Sequence, residues 1–309
     1  MVRRDELLPP ELLDGLGDLE WAGRLVARGL GPGIHRSAMV GLGEDFERHR
    51  PYQQGDDLRH LDWRLLARTD RLYVRRYRES TNLRTTLVVD ASPSMAFAGI
   101  GEGRPPLSKL RFAVILAAVL GRLARDTGDL PGLAISGGAG GGPAQLLAPR
   151  AGRESWHAFL HLLTHLETGK AGPLAPTLSR VGGMSRRGGR VVILSDFLED
   201  DDGEALWTEA GHLRARGDEV TAIRILTPDE LGEGERSDGL YVDPERSDLA
   251  VPGSPRGDAG YRERLGEYYR RLARHLEGRG VTWWEARTTD PFLPLLRGWM
   301  RGEGTREAS

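Results

Sequence analysis

Short unbroken runs of apolar residues recur along the chain, and each is followed by a stretch with helical spacing. The runs 85–89 and 190–194 are rich in Val, Leu and Ile, which predicts strands that are buried on both faces, as in a parallel sheet. Between them, apolar positions repeat at helical spacing from Ser108 to Thr127, with Ser108 as the predicted N-cap. Strands that alternate with such helices predict a doubly wound, mostly parallel α/β sheet with helices on both faces.

The same reasoning predicts the remaining elements. Helices are expected at 10–16, 19–28, 156–167, 173–180, 205–215, 261–277 and 291–300, strands at 72–77, 133–136, 145–148, 219–226 and 281–285, and a hairpin insertion at 239–251. We expect residues 81–309 to form the α/β domain. Residues 1–80, with the N-terminal helices and a highly charged segment, are expected to form a smaller part that packs on this core.

Composition narrows the classes of function. The net charge of −2 gives no global field that would recruit nucleic acid or an anionic membrane. The absence of cysteine excludes disulfides, thiolate metal sites and cysteine nucleophiles. No apolar run approaches the ~18 residues of a membrane span, and no charged and apolar leader opens the sequence, so we expect a soluble, cytoplasmic protein. Lysine occurs only at Lys109 and Lys170, which we attribute mainly to a GC-rich genome.

Candidate chemistry follows directly after the first core strand. Asp90 ends the apolar run, and Ser92 and Ser94 follow at alternate positions. In open α/β sheets ligands bind at the carboxyl ends of the strands, and one carboxylate with two hydroxyls suits Mg²⁺ or Mn²⁺ better than zinc. Ordinary turn chemistry explains the same three residues. Asp196, which closes the second apolar strand, favours the metal because turn chemistry predicts no second acid at that edge.

The segment 35–79 carries charges of both signs in close alternation. Such alternation favours internal ion pairs, whereas a nucleic-acid surface would be uniformly basic. An alternative nucleic-acid surface would use five arginines: Arg59, Arg64, Arg68, Arg75 and Arg76. We also hypothesise that residues 55–68 pack at the sheet edge and hold the Asp90 loop, with ion pairs such as Asp57 or Asp62 to Arg68 fixing their shape.

Several motifs resemble known families over roughly residues 15–300. The spacings Gly43-x-x-Phe46, Arg50-x-Tyr52, Gly55-Asp56-Asp57-x-Arg59 and Asp62-Trp63-x-x-x-Ala67-Arg68 resemble the signature of the bacterial "domain of unknown function 58" family. Asp90-x-Ser92-x-Ser94 with Asp196 looks like the metal-ion-dependent adhesion site of von Willebrand factor type A domains. The resemblance implies a type A-like fold that follows the signature segment.

The adhesion-site resemblance implies a ligand set and a mechanism. Ser92 and Ser94 would bind Mg²⁺ (or Mn²⁺) directly, Asp90 and Asp196 directly or through water, and an acidic side chain of a partner would take an open position. Such domains usually add a threonine in a Gly-Thr-x-Leu loop, and the matching stretch here is 171–174, Ala-Gly-Pro-Leu. Because Thr168 and Thr177 fit the pattern poorly, we expect a weakened metal site.

The resemblance also implies partners. Relatives accompany AAA+ ATPases of the MoxR class, so we expect a non-enzymatic module that acts with such an ATPase and an unknown client in protein maturation or assembly. One alternative is a metal-independent scaffold with a degenerate site. Another is a metal-dependent phosphoryl-transfer enzyme with Asp90 as nucleophile, which would want an acid at position 92 and a dedicated lysine. The family signature contributes the expected partner-binding or structural residues Arg50, Tyr52, Gly55, Asp56, Asp57, Arg59, Asp62, Trp63 and Arg68.

Overall fold

The computed structural model describes the chain in twelve stretches. They are residues 17–30, 49–51, 73–75, 83–99, 107–138, 144–170, 172–184, 187–199, 203–231, 239–242, 250–253 and 259–301. The chain divides into two compact units, Met1–Met39 with Leu83–Ser309, and Val40–Asn82. The predicted division into residues 1–80 and 81–309 stays a prediction. The predicted helix at 10–16 and the predicted contacts of residues 55–68 lie outside the described residues.

The described residues contain ten strands. In chain order they are β1 (His49–Pro51), β2 (Tyr73–Arg75), β3 (Arg84–Ala91), β4 (Leu130–Gly137), β5 (Gln145–Leu147), β6 (Arg190–Ser195), β7 (Glu219–Leu226), β8 (Gly239–Val242), β9 (Ala250–Gly253) and β10 (Thr282–Arg287). Two small antiparallel strand pairs, β1 with β2 and β8 with β9, are separate from the larger sheet. The second of these confirms the predicted insertion, and the first is the described part of the unit Val40–Asn82.

A six-stranded sheet with the order β10-β7-β6-β3-β4-β5 forms the centre of the larger unit. All neighbouring strands are parallel except β5, which returns antiparallel to β4 at one edge. The predicted doubly wound, mostly parallel sheet is therefore confirmed.

Helices cover both faces of this sheet. They are α1 (Leu19–Leu30), α2 (Lys109–Asp126), α3 (Arg153–Thr164), α4 (Leu174–Met184), α5 (Glu204–Ala215), α6 (Ala259–Glu277) and α7 (Phe292–Arg301). The predicted cap of α2 is confirmed, because the Ser108 hydroxyl accepts the backbone N–H of Arg111 at 3.1 Å. Among the described residues, no helix combines the length and apolar character needed to cross a membrane.

The two faces of β3 pack against different helices. Leu87 and Val89 belong to a core with α1, α2, α3 and α7, whereas Val88 between them belongs to a core with α4, α5 and α6. Because successive side chains of a strand point to opposite faces, burial on both faces requires an unbroken apolar run. The packing thus explains why the sequence of the central strands does not alternate.

The sheet order puts a topological switch point beside the end of β3. After β3 the chain passes to α2 on one face, whereas after the neighbouring β6 it passes to α5 on the other face. At such a topological switch point the connecting loops diverge, and ligands of open α/β folds bind there. The predicted site residues follow these two strands.

Candidate metal centre

Asp90 lies at the carboxyl end of β3 and is buried, and both of its carboxylate oxygens accept hydrogen bonds. Oδ1 accepts the backbone N–H of Ser92 at 2.9 Å, which is the predicted turn contact. Oδ2 accepts the hydroxyl of Ser195 at 2.5 Å. The register of β3 and β6, which pairs Val89 with Leu194, brings Ser195 beside Asp90. The carboxylate is thus held in one orientation from two strands.

Two hydroxyls converge directly after Asp90. A single 3-10 turn, Pro93–Ala96, folds the chain back so that the Oγ atoms of Ser92 and Ser94 lie 3.1 Å apart. The turn is closed by a backbone hydrogen bond from Met95 N–H to the Ser92 carbonyl at 3.1 Å. The loop therefore combines the predicted turn hydrogen bonds with two converging hydroxyl oxygens, and their role as metal ligands stays a prediction.

Asp196 follows β6 and is bonded through both carboxylate oxygens. Oδ1 accepts the backbone N–H of Leu198 at 3.3 Å, and Oδ2 accepts a hydrogen bond from Lys109 Nζ at 2.6 Å. The same ammonium donates to Oε1 of Glu230 at 3.0 Å. Asp196 and Lys109 are almost fully buried, so their ion pair is screened little by solvent. A buried lysine is therefore part of the candidate site.

Charge and burial shift two pKa values at the site. Burial raises the pKa of Asp90 to about 7, the negative charge of Asp196 adds to the rise, and hydrogen bonds from Ser195 and Ser92 oppose it. The two carboxylates are thus close enough to repel each other. Burial acts to lower the pKa of Lys109, but the charges of Asp196 and Glu230 outweigh it and raise that pKa above its usual value. Lys109 is consequently a permanent positive charge.

The loop that carries a threonine in adhesion sites has no room for a side chain here. A Cβ atom on Gly172 would lie 2.7 Å from the backbone nitrogen of Gly137 and 2.9 Å from its Cα. Ser136 fixes this contact by donating its hydroxyl to the Gly172 carbonyl at 2.7 Å. The Thr177 hydroxyl donates to Ser136 Oγ at 3.1 Å and is thereby engaged. The backbone around Gly172 therefore leaves no room for a threonine side chain at this position.

The loop after Asp196 is fixed from α6. Phe197 is buried and has a φ of 57°, a left-handed conformation that is unfavourable for a bulky residue. The Tyr268 hydroxyl donates to the Phe197 carbonyl at 2.7 Å and accepts the Glu199 N–H at 3.3 Å. The Ser195 hydroxyl accepts the Phe197 N–H at 2.8 Å. These contacts hold the backbone that positions Asp196.

Three exposed apolar side chains belong to the loops around the Lys109 ammonium. Among the described residues, Phe97, Leu198 and Leu231 are 39%, 40% and 38% exposed. The Phe97 ring centroid lies 5.9 Å from Lys109 Nζ. Leu198 contributes the N–H that bonds Asp196, and Leu231 directly follows Glu230. We call these three side chains the apolar rim of the site.

The structure brings together all four predicted ligands, and it adds three residues that the sequence analysis missed. Asp90, Ser92, Ser94 and Asp196 follow two neighbouring strand ends. The missed residues are Ser195, Lys109 and Glu230. The scarcity of lysine was the available signal for Lys109, because a chain that otherwise uses arginine keeps a lysine there. Within the described stretches, no three His, Asp or Glu side chains are grouped as metal ligands.

Most of the predicted signature residues lie outside the described part of the chain. Arg50 is in β1, where its backbone pairs with that of Val74. The others, Tyr52, Gly55, Asp56, Asp57, Arg59, Asp62, Trp63 and Arg68, lie outside the described residues. Their predicted structural or partner-binding role stays a prediction.

Comparison with known proteins identifies the family. The model of the family described as "Protein of unknown function DUF58" matches residues 48–247. The chain belongs to the DUF58 family. Within it, the chain is 32% identical over 246 residues to the uncharacterized proteins Rv1480 of Mycobacterium tuberculosis and Mb1516 of Mycobacterium bovis. The match covers 78% of this chain and 74% of each relative. The predicted family membership is confirmed.

Solved structures with a similar fold were also found. One is BatB from Bacteroides thetaiotaomicron, a conserved hypothetical protein, at 12% identity and a TM-score of 0.46, covering 71% of this DUF58 chain and 98% of that one. Another is a von Willebrand factor type A protein from Catenulispora acidiphila, at 14% identity and a TM-score of 0.41, covering 74% of this chain and 42% of that one.

Proposed function

We propose that this DUF58 protein is a non-enzymatic protein-interaction module that binds an acidic side chain of a partner through Mg²⁺ or Mn²⁺. The observation that carries the proposal is the convergence of Asp90, Ser92 and Ser94 beside Asp196 at the switch point of the sheet. Ser92 and Ser94 would bind the ion directly, and Asp90 and Asp196 directly or through water.

The donor set fits such an ion. All four side chains offer hard oxygen atoms, which Mg²⁺ prefers. Adjacent oxygens in an octahedral magnesium shell with ligands at about 2.1 Å are about 3 Å apart, and the Oγ atoms of Ser92 and Ser94 are 3.1 Å apart. A divalent cation would also relieve the repulsion between Asp90 and Asp196. When bound, it would supply a positive centre that attracts a carboxylate.

The apolar rim adds to the kind of partner that this site would accept. Phe97, Leu198 and Leu231 stay partly exposed on three separate loops although each is large and apolar. Burial of such side chains at the centre of an interface is favourable, whereas a charged ligand alone would not need them. The proposed ligand is therefore an acidic residue with apolar neighbours on a protein surface. The resemblance adds a MoxR-class AAA+ ATPase and its client as candidate partners.

Phosphoryl transfer with Asp90 as nucleophile has mixed support. The scarcity of lysine in the sequence argues against this chemistry, but one of the two lysines, Lys109, lies beside Asp196. However, both Asp90 oxygens are engaged by the Ser92 N–H and the Ser195 hydroxyl. Ser92 also occupies the position where this chemistry needs a second acid. The interaction module is accordingly the function that the geometry favours.

Calorimetry tests whether the protein binds Mg²⁺ or Mn²⁺ at this site. We expect millimolar Mg²⁺ or Mn²⁺ to raise the melting temperature of the wild type, and Asp90→Ala or Ser92→Ala to abolish the rise. Ser155→Ala, on α3, is a matched control that should keep it. If no ion binds the wild type at millimolar concentration, the chain is a metal-independent scaffold instead.

A binding assay with purified proteins tests the partner. A MoxR-class ATPase from the same organism should bind the wild type in Mg²⁺, and EDTA or Asp90→Ala should remove the complex. Binding that persists in EDTA and in Asp90→Ala would show that the interaction does not use the ion.

A further inference from the structure

Lys109 is an unusual residue for the place it occupies. It is the first residue of α2 and is 2% exposed, and its ammonium bonds Asp196 Oδ2 at 2.6 Å and Glu230 Oε1 at 3.0 Å. Its backbone N–H is fixed by the Phe97 carbonyl at 2.9 Å. A positive charge therefore already neutralises one of the two carboxylates that the proposed ion would use.

Position 109 holds a lysine in a chain whose other basic side chains are almost all arginine. Of 43 basic residues only Lys109 and Lys170 are lysine. An ammonium is a compact point charge, whereas a guanidinium is a larger planar fork that pairs with carboxylates in fixed geometry. A compact charge on a flexible stem is able to move between two neighbouring acids with little rearrangement.

We propose that Lys109 is a built-in competitor of the divalent cation, which holds Asp196 while the ion is absent and passes to Glu230 when the ion binds. The proposal rests on the proposed metal function and names its regulation. It assigns to Lys109 a positioning role, because it acts through Asp196 and not on the ion or the partner.

The contacts of Asp196 favour such competition. Its Oδ1 accepts the Leu198 N–H and its Oδ2 accepts a hydrogen bond from the Lys109 ammonium, so a cation or an ion-bound water that engages Oδ2 competes with the ammonium for that oxygen. Like charges in a buried site also repel strongly, which adds to the antagonism. Low ion affinity is the expected result.

Glu230 offers the displaced ammonium a second partner. It lies in the 3-10 turn Pro228–Leu231, and its other oxygen, Oε2, is anchored by the Thr227 N–H at 2.7 Å. A buried ammonium without a partner would be costly, but this carboxylate remains paired with it. Ion binding is thereby linked to the turn that carries Leu231 of the apolar rim.

Measured Mn²⁺ affinities test the competition. Titration calorimetry on the full chain should show at least tenfold tighter binding to Lys109→Met than to the wild type. Lys170→Met is the matched control, since Lys170 is the other lysine and its side chain is exposed, and its affinity should equal that of the wild type. Glu230→Gln should bind Mn²⁺ several-fold more weakly, because Lys109 then pairs with Asp196 alone.

Lysine-selective ¹⁵N NMR of the wild type avoids any folding defect of a variant. With only two lysines, the buried Lys109 ammonium is resolved from the exposed Lys170 ammonium. Saturating Mg²⁺ should shift the Lys109 signal and leave that of Lys170 in place. An unchanged Lys109 signal in a protein that has bound Mg²⁺ would overturn the competition.

The outcomes separate this inference from the proposed function. Equal Mn²⁺ affinity of the wild type and Lys109→Met overturns the competition and leaves the metal site intact. Binding to Lys109→Met but not to the wild type supports the competition and overturns metal binding as the native function. Binding to neither protein overturns both. If Lys109→Met does not fold, the NMR titration decides.

Discussion

The Ser195 hydroxyl donates to Asp90 Oδ2 at 2.5 Å and joins the ends of the two central strands. The Ser195 Oγ also accepts the Phe197 N–H at 2.8 Å. One small side chain therefore orients the first carboxylate of the candidate site and also ties down the loop that carries the second, Asp196.

Ser195→Ala should weaken both the fold and the site. It leaves a buried carboxylate oxygen and a buried N–H without this partner, which costs about 1–3 kcal/mol for each unsatisfied group. It also removes a contact that lowers the pKa of Asp90. Urea denaturation should show the loss of stability, and Mn²⁺ titration should show weaker binding.

Ser155→Ala, which removes a hydroxyl from α3, is the control for this change. A Ser195→Ala protein with the stability and the Mn²⁺ affinity of that control would show that the Ser195 bridge contributes to neither.

The sequence predicted the fold well because burial on both faces leaves a visible pattern. The strand that holds Leu87 and Val88 needed apolar side chains at successive positions, because both of its faces are buried, and the Ser108 cap required a hydroxyl before a helical repeat. The edge shared by Asp90 and Asp196 followed from the rule that parallel strands end on the same side. These features depend on neighbours in sequence or on the direction of a strand.

The ion pairs of Lys109 with Asp196 and Glu230 could not be predicted from patterns along the sequence. Lys109 is 87 positions from Asp196 and 121 from Glu230. Spacing along the chain says nothing about such pairs, because only the packing of α2 beside the ends of β6 and β7 brings them together. Likewise Ser195 faces Asp90 only in the register that pairs Val89 with Leu194. The lack of room for a side chain at Gly172 depends on the position of the Gly137 backbone, which the sequence does not give.

Gly172→Ala should destabilise the protein and should not improve metal binding. The new Cβ would meet backbone atoms of Gly137 at 2.7 and 2.9 Å, which cannot rotate away. Overpacking of this kind costs typically about 1–3 kcal/mol. Gly172→Thr, which restores the residue type of the adhesion-site loop, should be at least as unstable. Thermal denaturation with and without Mg²⁺ measures both effects.

Gly183→Ala is a matched control of opposite sign. Gly183 is exposed near the end of α4, and a Cβ there would meet no atom within 4 Å. Replacement of a helical glycine by alanine stabilises by up to about 1 kcal/mol. If Gly172→Ala were equally stabilising, or if Gly172→Thr tightened Mn²⁺ binding, the steric account of the missing threonine would be wrong.

Tyr268→Phe should loosen the Asp196 loop without touching a ligand. The Phe197 carbonyl and the Glu199 N–H both lose their bond to the Tyr268 hydroxyl. With about 1 kcal/mol for a typical hydrogen bond, we expect reduced stability by urea denaturation and weaker Mn²⁺ binding. Ser155→Ala, on α3, is again the control. Equal Mn²⁺ affinity in the two variants would contradict a role of Tyr268 in positioning Asp196.

Asp129→Asn should stabilise the protein at neutral pH. Asp129 precedes β4 at the opposite edge of the sheet from Asp90, and burial raises its pKa above the ordinary value of 3.8 although Arg190 opposes the rise. Because the folded state then holds the proton more tightly than the unfolded state, stability falls as pH rises from that ordinary value through the higher folded pKa. Asparagine keeps an oxygen for the Leu83 N–H, which Asp129 Oδ1 now accepts at 3.3 Å.

Urea denaturation should therefore show Asp129→Asn as the more stable protein at pH 7, with the difference narrowing as pH falls toward 4. Asp126→Asn changes the net charge equally from an exposed position, so a pH-dependent gain of the same size there would contradict the burial argument.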